Sequence, residues 1–276
     1  MSERNVKGKT PEDYGFRMKD KEKGFKIDFN EKSSVKKVIG VVSGKGGVGK
    51  SFVTSMLASE MQRRGYRCAV LDGDITGPSQ GKSFGIHEKA TGDGKLIYPA
   101  VTAKGMQVMS TNMILDRDEQ PVIWRGPMVA NILKQFYEEV YWNDVDYMFV
   151  DMPPGTSDVP LTAFQSFNLD GIVIVTSPQE LVAMVVEKAI NMANMMHINV
   201  LGMIENMSYV QCPNCDEKIY VFGESHIEET AQKYQLPILA RIPLNPAIAK
   251  ASDEGKMEDL VIEEMKPAAD FIENIE

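Results

Sequence analysis

The chain is expected to form an α/β fold, a mostly parallel sheet with helices on both faces, and three observations lead there. Short β-branched runs recur along it, longer segments with helical spacing separate most of them, and the first run turns directly into a glycine-rich loop. In such sheets ligands sit beyond the carboxyl ends of the strands. The chemistry-bearing residues of this chain fall at those ends.

The first strand, expected over Val38 to Ser43, runs into Gly44-Lys45-Gly46-Gly47-Val48-Gly49-Lys50-Ser51, and Phe52 to Arg64 follows with helical spacing. This is G-x-x-x-x-G-K-S/T, the phosphate-binding loop, in the strand, loop and helix order that its chemistry requires. The glycines let backbone N–H groups curl around phosphates, and Lys50 brings a point charge to their outer oxygens. The Ser51 hydroxyl suits Mg2+. A P-loop NTPase is therefore the expected architecture.

The second strand, Cys68 to Asp72, leads into Leu71-Asp72-Gly73-Asp74-Ile75-Thr76-Gly77-Pro78-Ser79. In an extended segment Asp72 and Asp74 project to the same side, so two carboxylates can converge on the phosphate end of the site. Paired Asp in a Gly/Pro-rich turn also serve simply as turn formers. Residues 77–125 show one clear strand, near Met106 to Ser110. A helix is expected over Pro127 to Val140, followed by a strand over Tyr147 to Asp151. That apolar run ends on Asp151, a Walker B carboxylate for Mg2+, and Gly155 permits a switch that senses the γ-phosphate. Strands over Gly171 to Thr176, Val200 to Glu205 and Ile238 to Ile242 and a helix over Glu180 to Met196 complete the alternation. After Glu205, Asn206 offers both donor and acceptor to an adenine edge, although the position also suits a turn.

With 276 residues, 43% of them apolar, one large domain is expected. The net charge of −9 and pI of about 5.0 argue against general adhesion to nucleic acid or to an anionic membrane. Residues 251–276 hold nine carboxylates against two lysines, which reads as solvation. Residues 1–37 are mildly basic, mixed in sign and poor in large apolar groups. They suggest a flexible leader, 1–34, ahead of a single domain, 35–276. No apolar run approaches the roughly 20 residues needed to span a bilayer, and the N-terminus lacks a signal-peptide core. A cytoplasmic location is expected.

Three cysteines do not make a secreted disulfide framework. Cys68 lies in an apparent core strand and reads as a small buried hydrophobe. Cys212-Pro213-Asn214-Cys215, in an irregular loop at 208–223, is different: two thiolates at this spacing can grip one metal or cluster. Zinc and iron–sulfur sites commonly take four ligands, and one chain supplies two. Two chains would complete the count; a redox pair or a stray loop pair is the alternative. The methionines at Met192 to Met196 fall on a helix and read as core filler.

Lys45, the extra lysine of G-K-G-G-V-G-K-S, resembles the signature lysine of the deviant Walker A ATPases, which include the nitrogenase iron protein, MinD and ParA. The resemblance implies a homodimer in which Lys45 reaches the partner's nucleotide, and it assigns Asp74 to orienting the attacking water and Asp72 to supporting Mg2+ or the switch. Further motifs narrow it: Asp72 to Ser79, Pro121 to Pro127, Asp151 to Thr156, Gln179, Glu205 to Ser208, the cysteine pair and Ile242-Pro243-Leu244. From about Val38 to Gly255 the chain resembles the Mrp/ApbC family of P-loop iron–sulfur cluster carriers. That likeness implies a homodimer that holds a 4Fe-4S cluster between two C-x-x-C pairs, binds and slowly hydrolyses ATP, and passes the cluster to apo-proteins. Lys45, Lys50 and Asp74 are the expected catalytic residues. Gly44 to Phe52 and Asn206 are the expected nucleotide contacts, Ser51, Asp72 and Asp151 the Mg2+ group, and Cys212 and Cys215 the cluster ligands. The chain departs from the family pattern at Phe52, where Thr is usual, at Ser157, where Gly is usual, and over Leu181 to Val186, where many members carry Asp. A zinc-stapled dimeric ATPase and a positioning ATPase of the MinD/ParA kind are the competing readings; the acidic C-terminus argues against the second.

Overall fold

A computed structural model describes residues 26–75, 77–114, 126–155, 158–178, 181–215, 217–223 and 225–275. Thr76, Pro121 to Arg125, Thr156, Ser157, Gln179 and leader residues 1–25 lie outside them. The first half of the described chain runs β1 (Val35–Ser43), α1 (Lys50–Arg63), β2 (Cys68–Asp72), α2 (Gln80–Ser83), β3 (Thr91–Gly92), β4 (Ile97–Tyr98), β5 (Ala100–Val101), β6 (Gln107–Met109) and α3 (Gly126–Glu138). The second half runs β7 (Val145–Asp151), α4 (Asp158–Ser166), β8 (Gly171–Thr176), α5 (Leu181–Met195), β9 (Val200–Glu205), β10 (Val210–Gln211), β11 (Lys218–Ile219), α6 (Ile227–Tyr234), β12 (Ile238–Arg241), α7 (Pro246–Asp253) and α8 (Lys266–Glu273).

The central sheet has the order β12-β9-β8-β1-β7-β2-β6-β5, parallel except for the β5–β6 pair at its edge. β1 is therefore an inner strand, and its carboxyl end opens where the chain departs to both sides, the crevice in which α/β sheets bind ligands. Asp72 and Asp151 are register partners at the ends of adjacent strands. β1 starts at Val35, ahead of its apolar run, because its backbone ladder to β7 continues to the Val35–Val145 pair.

Alternate residues of β1 feed two cores, Ile39 and Val41 on one face and Val38 and Val42 on the other. Val53, Leu57 and Met61 of α1 pack on the first face; Leu133, Phe136, Trp142, Phe164 and Ile190 fill the second. The acidic tail, expected to serve solvation, instead closes the first core: Met257, Ile262, Met265, Ala268, Ala269 and Ile272 are buried. Most of its described acids lie outside that core, and Arg64 Nη1 binds Asp270 and Glu273 at 2.7 Å each; Glu258 is the buried exception, accepting the Thr102 hydroxyl. Net charge masked that apolar spacing in the sequence.

Of the leader expected over 1–34, residues 26–34 pack against the second face. Ile27 donates its N–H to the Ser166 carbonyl at 2.8 Å, and Phe29 stacks on Tyr137 at 4.1 Å between ring centroids. Cys68 is buried as expected, and burial pushes its thiol pKa up. Met192 and Met196 pack at the core edge, whereas Met195 faces outward. No described helix is long and apolar enough to cross a membrane.

Candidate functional site

The loop from Gly44 to Gly49 follows β1 and delivers the chain into α1. Gly47 and Gly49 both take φ of +84°, the left-handed region that an L side chain resists. This is the local reason for glycine here. The first turn of α1 carries no acidic side chain. No carboxylate from the helix's own first turn therefore competes for its N-terminal N–H groups, as phosphate binding requires. Val48 is buried and anchors the loop; Lys45, Gly46 and Gly47 are exposed at its rim, and Gly44, Ser51 and Phe52 are half-buried. Phe52 packs against the first core.

Beneath the loop lies a buried polar centre. Lys50 Nζ forms an ion pair with Asp151 Oδ1, and Asp151 is fully buried. Thr54 Oγ1 stands 3.3 Å from the same oxygen and 3.0 Å from the Lys50 carbonyl. Gln80 Nε2 donates to Asp151 Oδ2 at 2.9 Å. Asp72, also fully buried, accepts from the Ser79 and Gln80 N–H groups and the Ser110 hydroxyl at 3.0 Å each, and from the Asp74 N–H at 3.2 Å. It thus organises the loop after β2. Burial, reinforced by the charge of Asp151, pushes its pKa up to about 7. Asp74 lies beyond the strand end, where its Oδ1 accepts the Gly77 N–H at 3.1 Å. The Ser51 hydroxyl and the Asp72 and Asp151 carboxylates are hard oxygen donors, the chemistry that Mg2+ takes.

Asn206 is buried, and its Nδ2 donates to the Val48 carbonyl at 2.9 Å. The structure thus sets Asn206 directly against the phosphate loop. Its neighbour Glu205, buried at the end of β9, accepts Ser208 Oγ at 2.6 Å and also the hydroxyl of Ser225. Ser208 and Ser225 flank the segment that carries the cysteines, so one carboxylate clasps both ends of it.

Within that segment β10 and β11 form a two-stranded hairpin, with Cys212 and Cys215 at its tip. The Cys212 N–H donates to the Glu217 carbonyl at 2.9 Å. Cys215 is exposed and Cys212 half-exposed. The N–H of Asn214, then the Cys215 thiol and N–H, lower the Cys212 pKa and favour its thiolate. Soft paired thiolates fit an iron–sulfur or zinc cargo. Among the described residues no group of three or more His, Cys, Asp and Glu converges as a metal site.

Gln80, Thr54, Ser110 and the Glu205 clasp have no place in the sequence expectation. Thr54 had a faint signal, one helical turn after Lys50. Gln80 had none, because its partners come from three other stretches of chain.

A phosphate loop at the central strand of a parallel sheet, with buried carboxylates at the neighbouring strand ends, defines a P-loop NTPase. A family model described as ParA: NUBPL iron-transfer P-loop NTPase matches residues 34–276. The iron–sulfur cluster carrier protein of Clostridium perfringens is 44% identical over 238 residues, 83% of this chain and 84% of that protein. That of Pyrococcus horikoshii is 40% identical over 264 residues, 92% and 85% of the two chains. The chain belongs to this family of iron–sulfur cluster carriers. Among solved structures, the nucleotide-binding protein of Archaeoglobus fulgidus in complex with ADP, with Co, aligns with a TM-score of 0.75 at 38% identity, covering 88% of this chain and 93% of that one. The cell division ATPase MinD of Pyrococcus furiosus aligns with a TM-score of 0.63 at 21% identity, covering 87% and 99%, a likeness of fold alone.

Proposed function

We propose that the chain is an ATP-hydrolysing carrier that, as a homodimer, holds a 4Fe-4S cluster between two Cys212/Cys215 pairs and delivers it to apo-proteins in the cytoplasm. The observation that carries this reading is an accessible thiol pair on a hairpin tied to the nucleotide loop. Asn206 bonds the loop at Val48, and the adjacent Glu205 clasps both ends of the hairpin segment. Two thiols per chain and four coordination sites per cluster favour a dimer, in which the cargo sits on the symmetry axis.

At the nucleotide site the N–H groups of Gly44 to Ser51 cradle the phosphates, and Lys50 leaves Asp151 to neutralise their outer oxygens. Ser51 and Asp151 would hold Mg2+, with Asp72 supporting them, and the bound ion would supply charge compensation for the phosphate oxygens. Asp74 orients the attacking water, and Lys45 reaches the partner's nucleotide. Asn206 keeps the loop in shape, and its amide would also serve an adenine edge. Mixing Lys45→Ala and Asp74→Asn chains tests action across the dimer; no subunit-dependent change in turnover would remove it.

The decisive experiment is anaerobic reconstitution with iron and sulfide, followed by metal and acid-labile sulfide analysis and cluster transfer to an apo-ferredoxin. The wild-type dimer should carry about four iron and four sulfide. The Cys212→Ala, Cys215→Ala variant should carry neither yet still bind nucleotide, and Cys68→Ala should behave as wild type. Zinc without sulfide would establish the zinc-stapled reading instead.

A further inference from the structure

We propose that Gln80 is a positioning residue of the nucleotide site, fixing the Asp151 carboxylate for Mg2+ through its side-chain amide. The inference rests on the reading of Asp151 as the carboxylate that faces the nucleotide's metal. Gln80 is fully buried at the start of α2. Its Nε2 donates to Asp151 Oδ2 and to the Ser51 carbonyl, both at 2.9 Å. Its Oε1 lies 2.7 Å from Ser55 Oγ, and its backbone N–H binds Asp72 Oδ2 at 3.0 Å. One side chain therefore joins the end of β7, the first turn of α1 and the loop after β2.

The amide's orientation follows from chemistry. Two acceptors do not face each other across a short contact, so the nitrogen must meet the carboxylate and the oxygen must meet the Ser55 hydroxyl. Asp151 is then held on both oxygens, Oδ1 by Lys50 and Thr54 and Oδ2 by Gln80. Phosphates draw Lys50 away; the neutral amide has no such competitor and stays. A cation at this position would cancel the charge that attracts Mg2+, whereas an amide fixes the rotation of the carboxylate and leaves its charge intact. The same amide holds the carbonyl of Ser51, so hydroxyl donor and carboxylate keep their relative position.

The test follows binding of a non-hydrolysable fluorescent ATP analogue, with and without EDTA, as Mg2+ is titrated. Gln80→Met keeps the side chain's length and volume and removes the amide. A hydrogen bond to a charged group is worth enough that half-saturating Mg2+ should rise about tenfold, while metal-free binding should stay within about twofold of wild type. An unchanged or tighter Mg2+ requirement overturns the proposal. So does an equal fall in metal-free binding, which would make Gln80 only a support for the loop. Should Gln80→Met fail to fold, Ser55→Ala removes the hydroxyl that orients the amide. It should raise the Mg2+ requirement about two- to threefold, and no rise overturns the proposal. If wild-type protein binds the analogue equally well without Mg2+, the Asp151 reading itself falls and takes Gln80 with it. A wild-type Mg2+ dependence that the variants leave unchanged removes Gln80 alone.

Discussion

Replacing Gly49 with Ala should destabilise the nucleotide-free protein by about 2–3 kcal/mol, in two separable parts. The first is local: Gly49 sits at φ +84°, and the left-handed conformation costs an L residue roughly 1–2 kcal/mol. The second is tertiary, because an added Cβ would lie 2.1 Å from Asn206 Nδ2 and 3.3 Å from its Cγ. Asn206 is 4% exposed and has little room, so it must turn and give up its 2.9 Å bond to the Val48 carbonyl. That loss adds about 1 kcal/mol or somewhat more, since the carbonyl and the amide are left in a buried setting. Urea unfolding of Gly49→Ala, Asn206→Ala and the double variant separates the parts. Asn206→Ala removes the clash but not the backbone strain, so the double variant should be more stable than the summed single effects by about 1 kcal/mol. Strict additivity, or a Gly49→Ala midpoint equal to wild type, would refute the packing argument.

Lys50→Ala should cost about 3–5 kcal/mol in nucleotide-free protein, because it strands the buried Asp151 carboxylate; adding Asp151→Asn should recover part of this in the same denaturation assay. Nucleotide affinity, measured by titration calorimetry, should fall sharply in both. Ile272→Ala, in the acidic yet core-forming tail, should cost about 2–4 kcal/mol by thermal or chemical melt, whereas a solvating tail would lose almost nothing. Asp146 is bonded by Arg67 and Lys36, which hold its carboxyl below the ordinary range. Its contribution, about 1 kcal/mol, should be complete above pH ~4 and fade as pH falls through its depressed folded value. Stability curves of wild type and Asp146→Asn should therefore converge in acid.

What the sequence determined was local and contiguous. The strand, loop and helix of residues 35–63 are one stretch of chain, so Gly44 to Ser51 could be read as a phosphate loop directly. Asp72 and Asp151 were legible because each ends an apolar run, and the Cys212/Cys215 spacing needs no fold to be noticed. The tertiary structure decided which of these meet. Asn206 reaches Val48 across 158 residues, Gln80 reaches Asp151 across 71, and Arg64 reaches Glu273 across 209. Such pairs depend on the strand order β12-β9-β8-β1-β7-β2-β6-β5, which no local pattern encodes. The C-terminal segment shows the same limit: nine carboxylates dominate its composition, but the face buried against α1 is set by packing. Charge and spacing are properties of a segment; burial is a property of what the rest of the chain places against it.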